Sequence, residues 1–264
     1  MFIRVRKVLV NFVQADLRLE RQVENFWKVE ASELQAESKS GASVNDERAV
    51  SIWNESICHH KGHYEMGIPF KKQPLSLPNN KAVAEHRLQL LGKRLHKDPE
   101  LFVKYCSGIH NLLDKGYAER VPCDHIDRAD GEAWYLPHHP VLNPNKPDKV
   151  RIVFDCAEKY LGTSMNDEVL KGPDLMNNLL GILIRFREER IVIMSDIEPM
   201  FHQVRVSPND CDVLRFLWWD NDNVNKKPLE YKMVVHLFGG VWSPSCTSFA
   251  LKRTADDNCK DFDQ

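Results

Sequence analysis

Hydrophobic and polar residues follow two different periods along this chain. Between Ala82 and Lys115 the apolar residues recur every three or four positions, which predicts two helices separated near Asp98-Pro99. Gly116 follows directly, where a glycine favours the end of a helix. Beyond it the apolar stretches are mostly short and rich in β-branched and aromatic residues, which is typical of strands.

The same pattern predicts the remaining elements. Asp174 is expected to cap a helix in which Leu175, Leu179, Leu183 and Phe186 share one face, and Ser243-Pro244 to begin a helix that ends near Ala255. A turn is predicted over Asn143–Asp148. The expected strands are Tyr64–Phe70, Tyr117–Val121, Trp134–Leu136, Val141–Leu142, Val150–Phe154, a strand ending at Asp196, Val213–Trp219 and Tyr231–His236. This is an α+β pattern, in which helices cover a mainly antiparallel sheet.

The first part of the chain has a less regular pattern of apolar residues. Apolar residues recur loosely at helical spacing from Leu9 to Ala36, and residues 37–45 read as a linker. We therefore expect an N-terminal helix and linker over residues 1–46, which connects to a main domain over 47–264. The residues Met1–Val10 lack a small-residue cleavage site after them, so a signal peptide is disfavoured.

Composition excludes several classes of protein. The 264 residues are 42% hydrophobic and 28% charged, which is ordinary for a globular protein. The net charge of -2 means that any contact with nucleic acid must come from local patches. The seven cysteines are odd in number and form no CxxC pair, which indicates reduced thiols and a cytoplasmic location. No apolar run reaches the length of a membrane span, so no membrane partner is expected.

One segment, residues 191–201, has the pattern of a metal-binding site. Four apolar residues, Ile191–Met194, lead through Ser195 to Asp196, and Phe201 follows five positions later. A short apolar run predicts a buried strand, which would deliver the carboxylate of Asp196 to the end of a rigid element. Hard carboxylate oxygens are ligands that Mg²⁺ prefers.

Six ordered motifs place this segment in a wider pattern. The motifs are Tyr135–Val141 (YLPHHPV), Lys149–Asp155 (KVRIVFD), Leu170–Leu175 (LKGPDL), Ser195–Val204 (SDIEPMFHQV), Leu214–Trp219 (LRFLWW) and His236–Pro244 (HLFGGVWSP). Together they resemble the reverse transcriptase of BEL/Pao-type LTR retrotransposons, over roughly Phe26 to Asn258.

The resemblance implies an RNA-directed DNA polymerase, with fingers at about 85–190 and a palm portion at about 191–264. Asp196 would be the first catalytic aspartate and a ligand of Mg²⁺, and Ile197 would add its backbone carbonyl. The implied partners are an RNA or DNA template-primer and a deoxynucleoside triphosphate. Such a protein would work inside the cell, including in virus-like particles.

The resemblance also implies a nucleotide site. Phe201 would pack on the sugar and reject a ribose, although simple core packing explains it nearly as well. Arg151 would hold the triphosphate through its forked guanidinium, and either Lys146 or Lys149 would add a second cation. Solvated turn lysines are the alternative for each of the two.

Another part of the implied nucleotide site is Phe238-Gly239, which resembles the palm segment under the templating base. A glycine there lets the backbone approach a ligand. Phe238 stands where retroviral enzymes usually have a glutamine, so a side-chain hydrogen bond to the nucleotide is not expected. Pro199 likewise replaces a lysine that is frequent in related elements.

One motif of the family is absent from the sequence. The family needs an aromatic-x-Asp-Asp hairpin, and the only adjacent aspartates, Asp256-Asp257, follow a stretch that predicts a helix. We therefore expect exposed helix-end acids there, and a chain that is inactive until a partner or a downstream segment completes the palm. A noncatalytic domain that binds nucleic acid or protein is the alternative function.

Histidines form two further clusters. Cys58, His59, His60 and His63 lie close together, but a structural zinc ion needs four ligands and no second pair has regular spacing. A polar approach to a strand is the favoured interpretation. His138 and His139 are expected to be structural.

Overall fold

The computed structural model describes residues 3–8, 43–126, 131, 133–143, 146–188 and 190–261. These residues form a mixed α+β fold. The helices are α1 Val44–Ser56, α2 Lys81–Lys97, α3 Pro99–Asp114, α4 Leu179–Arg185 and α5 Ser243–Asn258. The strands are β1 Ile3–Val8, β2 Cys58–His60, β3 His63–Met66, β4 Ala118–Arg120, β5 His138–Asn143, β6 Lys146–Phe154, β7 Val192–Ile197, β8 Arg205–Val206, β9 Arg215–Trp219 and β10 Pro228–Met233.

The described residues form four small sheets, where the sequence predicts one sheet. β10 lies between β4 and β9, and both of its pairings are antiparallel. β5 and β6 form an antiparallel hairpin, and β1 pairs with β7 in the same way. β3 pairs antiparallel with β2 and parallel with β8. The expectation of mainly antiparallel pairing is confirmed.

The two predicted helices before Gly116 are confirmed as α2 and α3. Asp98 separates them and accepts a hydrogen bond from the backbone N–H of Leu101 at 3.0 Å, while Pro99 occupies the first turn of α3. Gly116 has a φ of 65°, a conformation in which glycine is favoured because it has no Cβ. Local capping chemistry therefore sets these boundaries.

The predicted strand Trp134–Leu136 is wrong. All three of its residues are buried, but only Tyr135 forms a bridge, parallel to Arg215. An apolar run that is buried among side chains gives the same sequence signal as a paired strand.

The helix predicted from Asp174 begins later, at Leu179. The carboxylate of Asp174 accepts a hydrogen bond from Met176 N at 2.9 Å, which forms a local turn. The side chain of Asn178 instead caps α4 by accepting from Leu180 N at 2.8 Å. Asp and Asn side chains compete with a helix in this way, and here the turn comes first.

Two other boundaries also differ from the prediction. The turn Asn143–Asp148 is shorter, because Asn143 already belongs to β5 and Lys146 to β6. Ser243 is the first residue of α5, and its buried hydroxyl makes no hydrogen bond within the described part of the chain, so it does not cap the helix. Pro244 lies in the first turn as predicted.

The N-terminal part is described only over β1. The predicted helix Leu9–Ala36 and most of the linker lie outside the described residues. Ser43 caps α1 by accepting from Asp46 N at 3.2 Å, so the helix begins inside the predicted linker. The division at residue 46 stays a prediction, although β1 contributes a strand beside β7.

A charged cluster is buried between β9, β10 and α2. Arg215 is 0% exposed, and its guanidinium lies 2.7 Å from Asp212 Oδ1 and 3.0 Å from Glu230 Oε2. Glu230 also accepts hydrogen bonds from Lys81 Nζ at 2.6 Å and from the Tyr135 hydroxyl at 2.8 Å. Buried charges are tolerated when they are paired and hydrogen-bonded, as here.

His138 is structural, as the sequence predicts. Its Nε2 lies 2.9 Å from the carbonyl oxygen of Leu217, so Nε2 carries the proton, and the Tyr105 hydroxyl donates to Nδ1 at 2.6 Å. Burial lowers the pKa of His138 to about 4. The ring is therefore neutral in the folded chain at neutral pH.

Acid is expected to destabilise the chain through this histidine. The unfolded ring has a pKa near 6.5, so it binds a proton before the folded ring does. The free energy of unfolding should fall by up to about 1.4 kcal/mol per pH unit between pH 6.5 and pH 4 from His138 alone. Urea titrations across this range should show a shallower slope in His138→Gln, and an unchanged slope would contradict the assignment. Part of the slope should remain, because burial also lowers the pKa of His202 and His236.

Candidate functional site

Asp196 lies near the end of β7 and its side chain is exposed. The strand is as predicted, but its predicted burial is wrong. Ile191, Ile193 and Met194 are 65%, 69% and 52% exposed. In the described part of the chain β7 pairs only with β1, where Arg4 lies opposite Asp196, and no other layer covers these apolar side chains.

The segment after β7 forms a turn that approaches Phe238. Met200–Gln203 forms a short 3₁₀ helix, and the Gln203 side chain donates to the carbonyl oxygen of Glu198 at 2.9 Å. This turn brings Phe201 against Phe238, with 4.5 Å between ring centroids and 45° between ring planes. Two of the predicted site residues are thus in direct contact.

His202 extends this contact into an aromatic cluster. Its ring centroid lies 5.8 Å from that of Phe238 and 4.9 Å from that of Tyr117. Burial lowers the pKa of His202 to about 4, and the positive charge of Lys115 acts in the same direction. His202 is therefore neutral at pH 7. Sequence reasoning missed this residue, whose only signal was its place beside Phe201.

The backbone at Gly239 is held from two sides. Its φ is 113°, and a Cβ at this position would clash with the carbonyl oxygen of Phe154 at the end of β6. On the other side, Asn166 Nδ2 donates to the carbonyl oxygen of Gly239 at 3.1 Å, and Asn166 Oδ1 accepts from Val241 N at 3.0 Å. The glycine is required here by packing within the chain. Sequence reasoning also missed Asn166.

The predicted cations lie on β6. Arg151 pairs in register with Val141, is exposed, and makes no ion pair with another described residue. Lys146 and Lys149 both belong to the strand, so their predicted place in a turn is wrong. The role of all three toward a triphosphate stays a prediction.

The structure does not assemble a metal site around Asp196. Among the described residues, no three His, Cys, Asp or Glu side chains are grouped closely enough to hold a metal ion. Within that part of the chain, no hydrogen bond or ion pair joins Asp196 to Arg151. One exposed carboxylate and the carbonyl of Ile197 are too few ligands for Mg²⁺, so these residues alone do not fit the ion.

The acidic pair Asp256-Asp257 lies in α5, as predicted. The Tyr64 hydroxyl donates to Asp257 at 2.6 Å and Arg253 Nε at 2.8 Å. Both bonds lower the pKa of the Asp257 carboxyl. Asp257 is therefore engaged in structural contacts on a helix, not on a hairpin.

The possible zinc cluster forms the hairpin of β2 and β3. Cys58, His59 and His60 are exposed on β2, and His63 Nδ1 lies 3.1 Å from the carbonyl oxygen of Gln203. All seven cysteines are free. The arrangement agrees with a polar approach to a strand.

No helix in the described residues is both long enough and apolar enough to cross a lipid bilayer. No protein-family model matches the chain, and no curated protein matches it significantly.

Proposed function

We propose that the chain contains the fingers and part of the palm of an RNA-directed DNA polymerase of the BEL/Pao retrotransposon type. The observation that carries this proposal is the exposed carboxylate of Asp196 at the end of β7, followed in the chain by Phe201 packed on Phe238. The order of the six sequence motifs supports it. The reaction would be nucleotidyl transfer onto a primer that is paired with its template.

Each residue has a role in this proposal. Asp196 and Ile197 would contribute one carboxylate and one carbonyl to a Mg²⁺ site only once further ligands complete it. Arg151, together with Lys146 or Lys149, would bind the triphosphate. Phe201 packs on Phe238, which is 41% exposed, so the pair offers an apolar surface to the sugar or the base of a nucleotide. In this proposal Phe201 both packs within the chain and lies where it would reject a ribose.

The proposed site needs more carboxylates than Asp196 provides. The 264 residues contain no aromatic-x-Asp-Asp sequence. The exposed apolar side chains of β7 support the idea that a further hairpin covers this strand, from a downstream segment or a partner chain. Covering Ile193 and Met194 would remove apolar area from water and so favour such an association.

The test is primer extension by a version of the chain that continues through an aromatic-x-Asp-Asp hairpin. With an RNA template, a DNA primer, Mg²⁺ and deoxynucleoside triphosphates, we expect extension that falls at least ~10²-fold in Asp196→Asn, because a metal-binding carboxylate is lost. Asp256→Asn is the matched control and should extend primers normally, since Asp256 is an exposed helix residue.

Full activity of Asp196→Asn would exclude this role for Asp196. Absence of extension by the parent chain, with salt-sensitive retention of a template-primer duplex in the absence of Mg²⁺, would favour the noncatalytic binding domain instead.

A further inference from the structure

The loop Phe238–Val241 is held by a single side chain from a distant part of the sequence. The amide of Asn166 donates to the carbonyl oxygen of Gly239 and accepts from the N–H of Val241, at 3.1 and 3.0 Å. Both functional groups of the amide are thus used on backbone atoms two residues apart. Two hydrogen bonds from one planar group fix both the orientation of the loop and its distance from Asn166.

Asn166 is itself firmly placed. Its backbone N–H donates to the carbonyl oxygen of Cys156 at 2.9 Å, and the preceding Met165 is fully buried. The hydroxyl of Ser164 accepts from Asp167 N at 3.2 Å and so caps the short 3₁₀ helix Met165–Asp167. The amide therefore acts from a rigid support.

The opposite side of the loop is closed by β6. The carbonyl oxygen of Phe154 fills the space that a Cβ of Gly239 would need. The loop can therefore not shift toward β6, and Asn166 restrains it from the other side. This restraint sets the position of the Phe238 ring, which packs on Phe201 and remains partly exposed.

We propose that Asn166 is a positioning residue, which holds the Phe238–Val241 loop so that the Phe238 ring packs on Phe201 and presents its exposed part to an incoming deoxynucleotide. The last step rests on the proposed polymerase function. The placement of the ring does not, because it follows from contacts within the chain.

The loop can be tested in the 264-residue chain with two variants. Asn166→Ala removes both hydrogen bonds, and the Val241 amide should exchange its hydrogen about fivefold faster, which corresponds to one lost bond. Asn166→Asp has nearly the same shape and keeps the acceptor, but it turns a carboxylate oxygen toward the carbonyl of Gly239. We expect the nuclear Overhauser effects between the Phe201 and Phe238 rings to weaken in both variants.

Asn258→Ala is the matched control, because Asn258 also donates one side-chain hydrogen bond to a backbone carbonyl, that of Thr254 in α5. It should leave the loop unchanged. If the ring contacts of Asn166→Asp equal those of the parent, Asn166 only fills space and the proposal is wrong. Unchanged exchange at Val241 in Asn166→Ala would overturn it as well.

The nucleotide step has its own measurement. In the version of the chain that extends primers, both Asn166 variants should raise the KM for deoxynucleoside triphosphate several-fold while Asn258→Ala does not. A loosened loop with an unchanged KM would refute the nucleotide role of the loop. Lack of extension by the parent version would count against the polymerase function, and the loop measurements would still decide whether Asn166 positions Phe238.

Discussion

Replacement of Arg215 by methionine is expected to destabilise the folded chain by about 3–5 kcal/mol. The guanidinium is fully buried and neutralises Asp212 and Glu230, which are also buried. Methionine fills similar space but removes the guanidinium from both carboxylates. Asp212 would lose its ion pair with Arg215, and Glu230 would keep only its ion pair with Lys81, at 2.6 Å, among those described. Since whole domains are stable by only about 5–15 kcal/mol, the loss is a large share.

The urea midpoint of Arg215→Met should therefore fall strongly. Arg253→Met is the matched control: Arg253 also forms an ion pair, with Asp257 at 2.8 Å, but it is exposed on α5. Surface ion pairs contribute little, so the midpoint of this variant should stay near that of the parent. Equal midpoints for the two variants would show that the buried cluster does not stabilise the fold in this way.

Gly239→Ala is expected to cost about 3 kcal/mol or more, from a steric clash and backbone strain together. The added Cβ would meet the carbonyl oxygen of Phe154, and the φ of 113° is one that L side chains rarely adopt. Backbone atoms of β6 cannot move aside as a flexible side chain can. Thermal melting should thus show a clearly lower midpoint, and the Phe201–Phe238 contact should be lost with the loop geometry.

Gly62→Ala separates the two causes. Gly62 also has a positive φ, 80°, in the turn between β2 and β3, but nothing lies within 4 Å of a Cβ built there. Gly62→Ala should therefore destabilise the chain only through backbone strain, by roughly 1–2 kcal/mol. If the two alanine variants melted at the same temperature, the clash with Phe154 would not contribute to the loss of stability.

Elements with local signals could be predicted from the sequence. α2 and α3 were predicted because apolar spacing, Asp98-Pro99 and Gly116 all act within a few residues. The burial of β7 could not be predicted, because burial depends on which other elements cover a strand. The apolar run Ile191–Met194 is compatible with a covered strand, yet in the described residues it lies exposed beside β1.

The candidate site could also be predicted only in part. The sequence indicates Asp196, Phe201 and Phe238, but their mutual placement depends on the turn after β7 and on a loop fixed by Asn166. Nothing near Asn166 in the sequence distinguishes it from other polar turn residues. Arg215 did leave a signal, since an arginine that interrupts the apolar run Val213–Trp219 must find buried partners.

The pairing of β1 with β7 has a consequence for biosynthesis. Arg4 lies opposite Asp196, so the two strands are separated by about 190 positions, a very non-local contact that folds late. A ribosome that adds roughly 5–20 residues per second needs on the order of ten seconds or more to reach β7 after β1 has been made. During that interval β1 lacks β7, the strand with which it pairs among the described residues, so its backbone groups are open to water or to a chaperone that binds short strands.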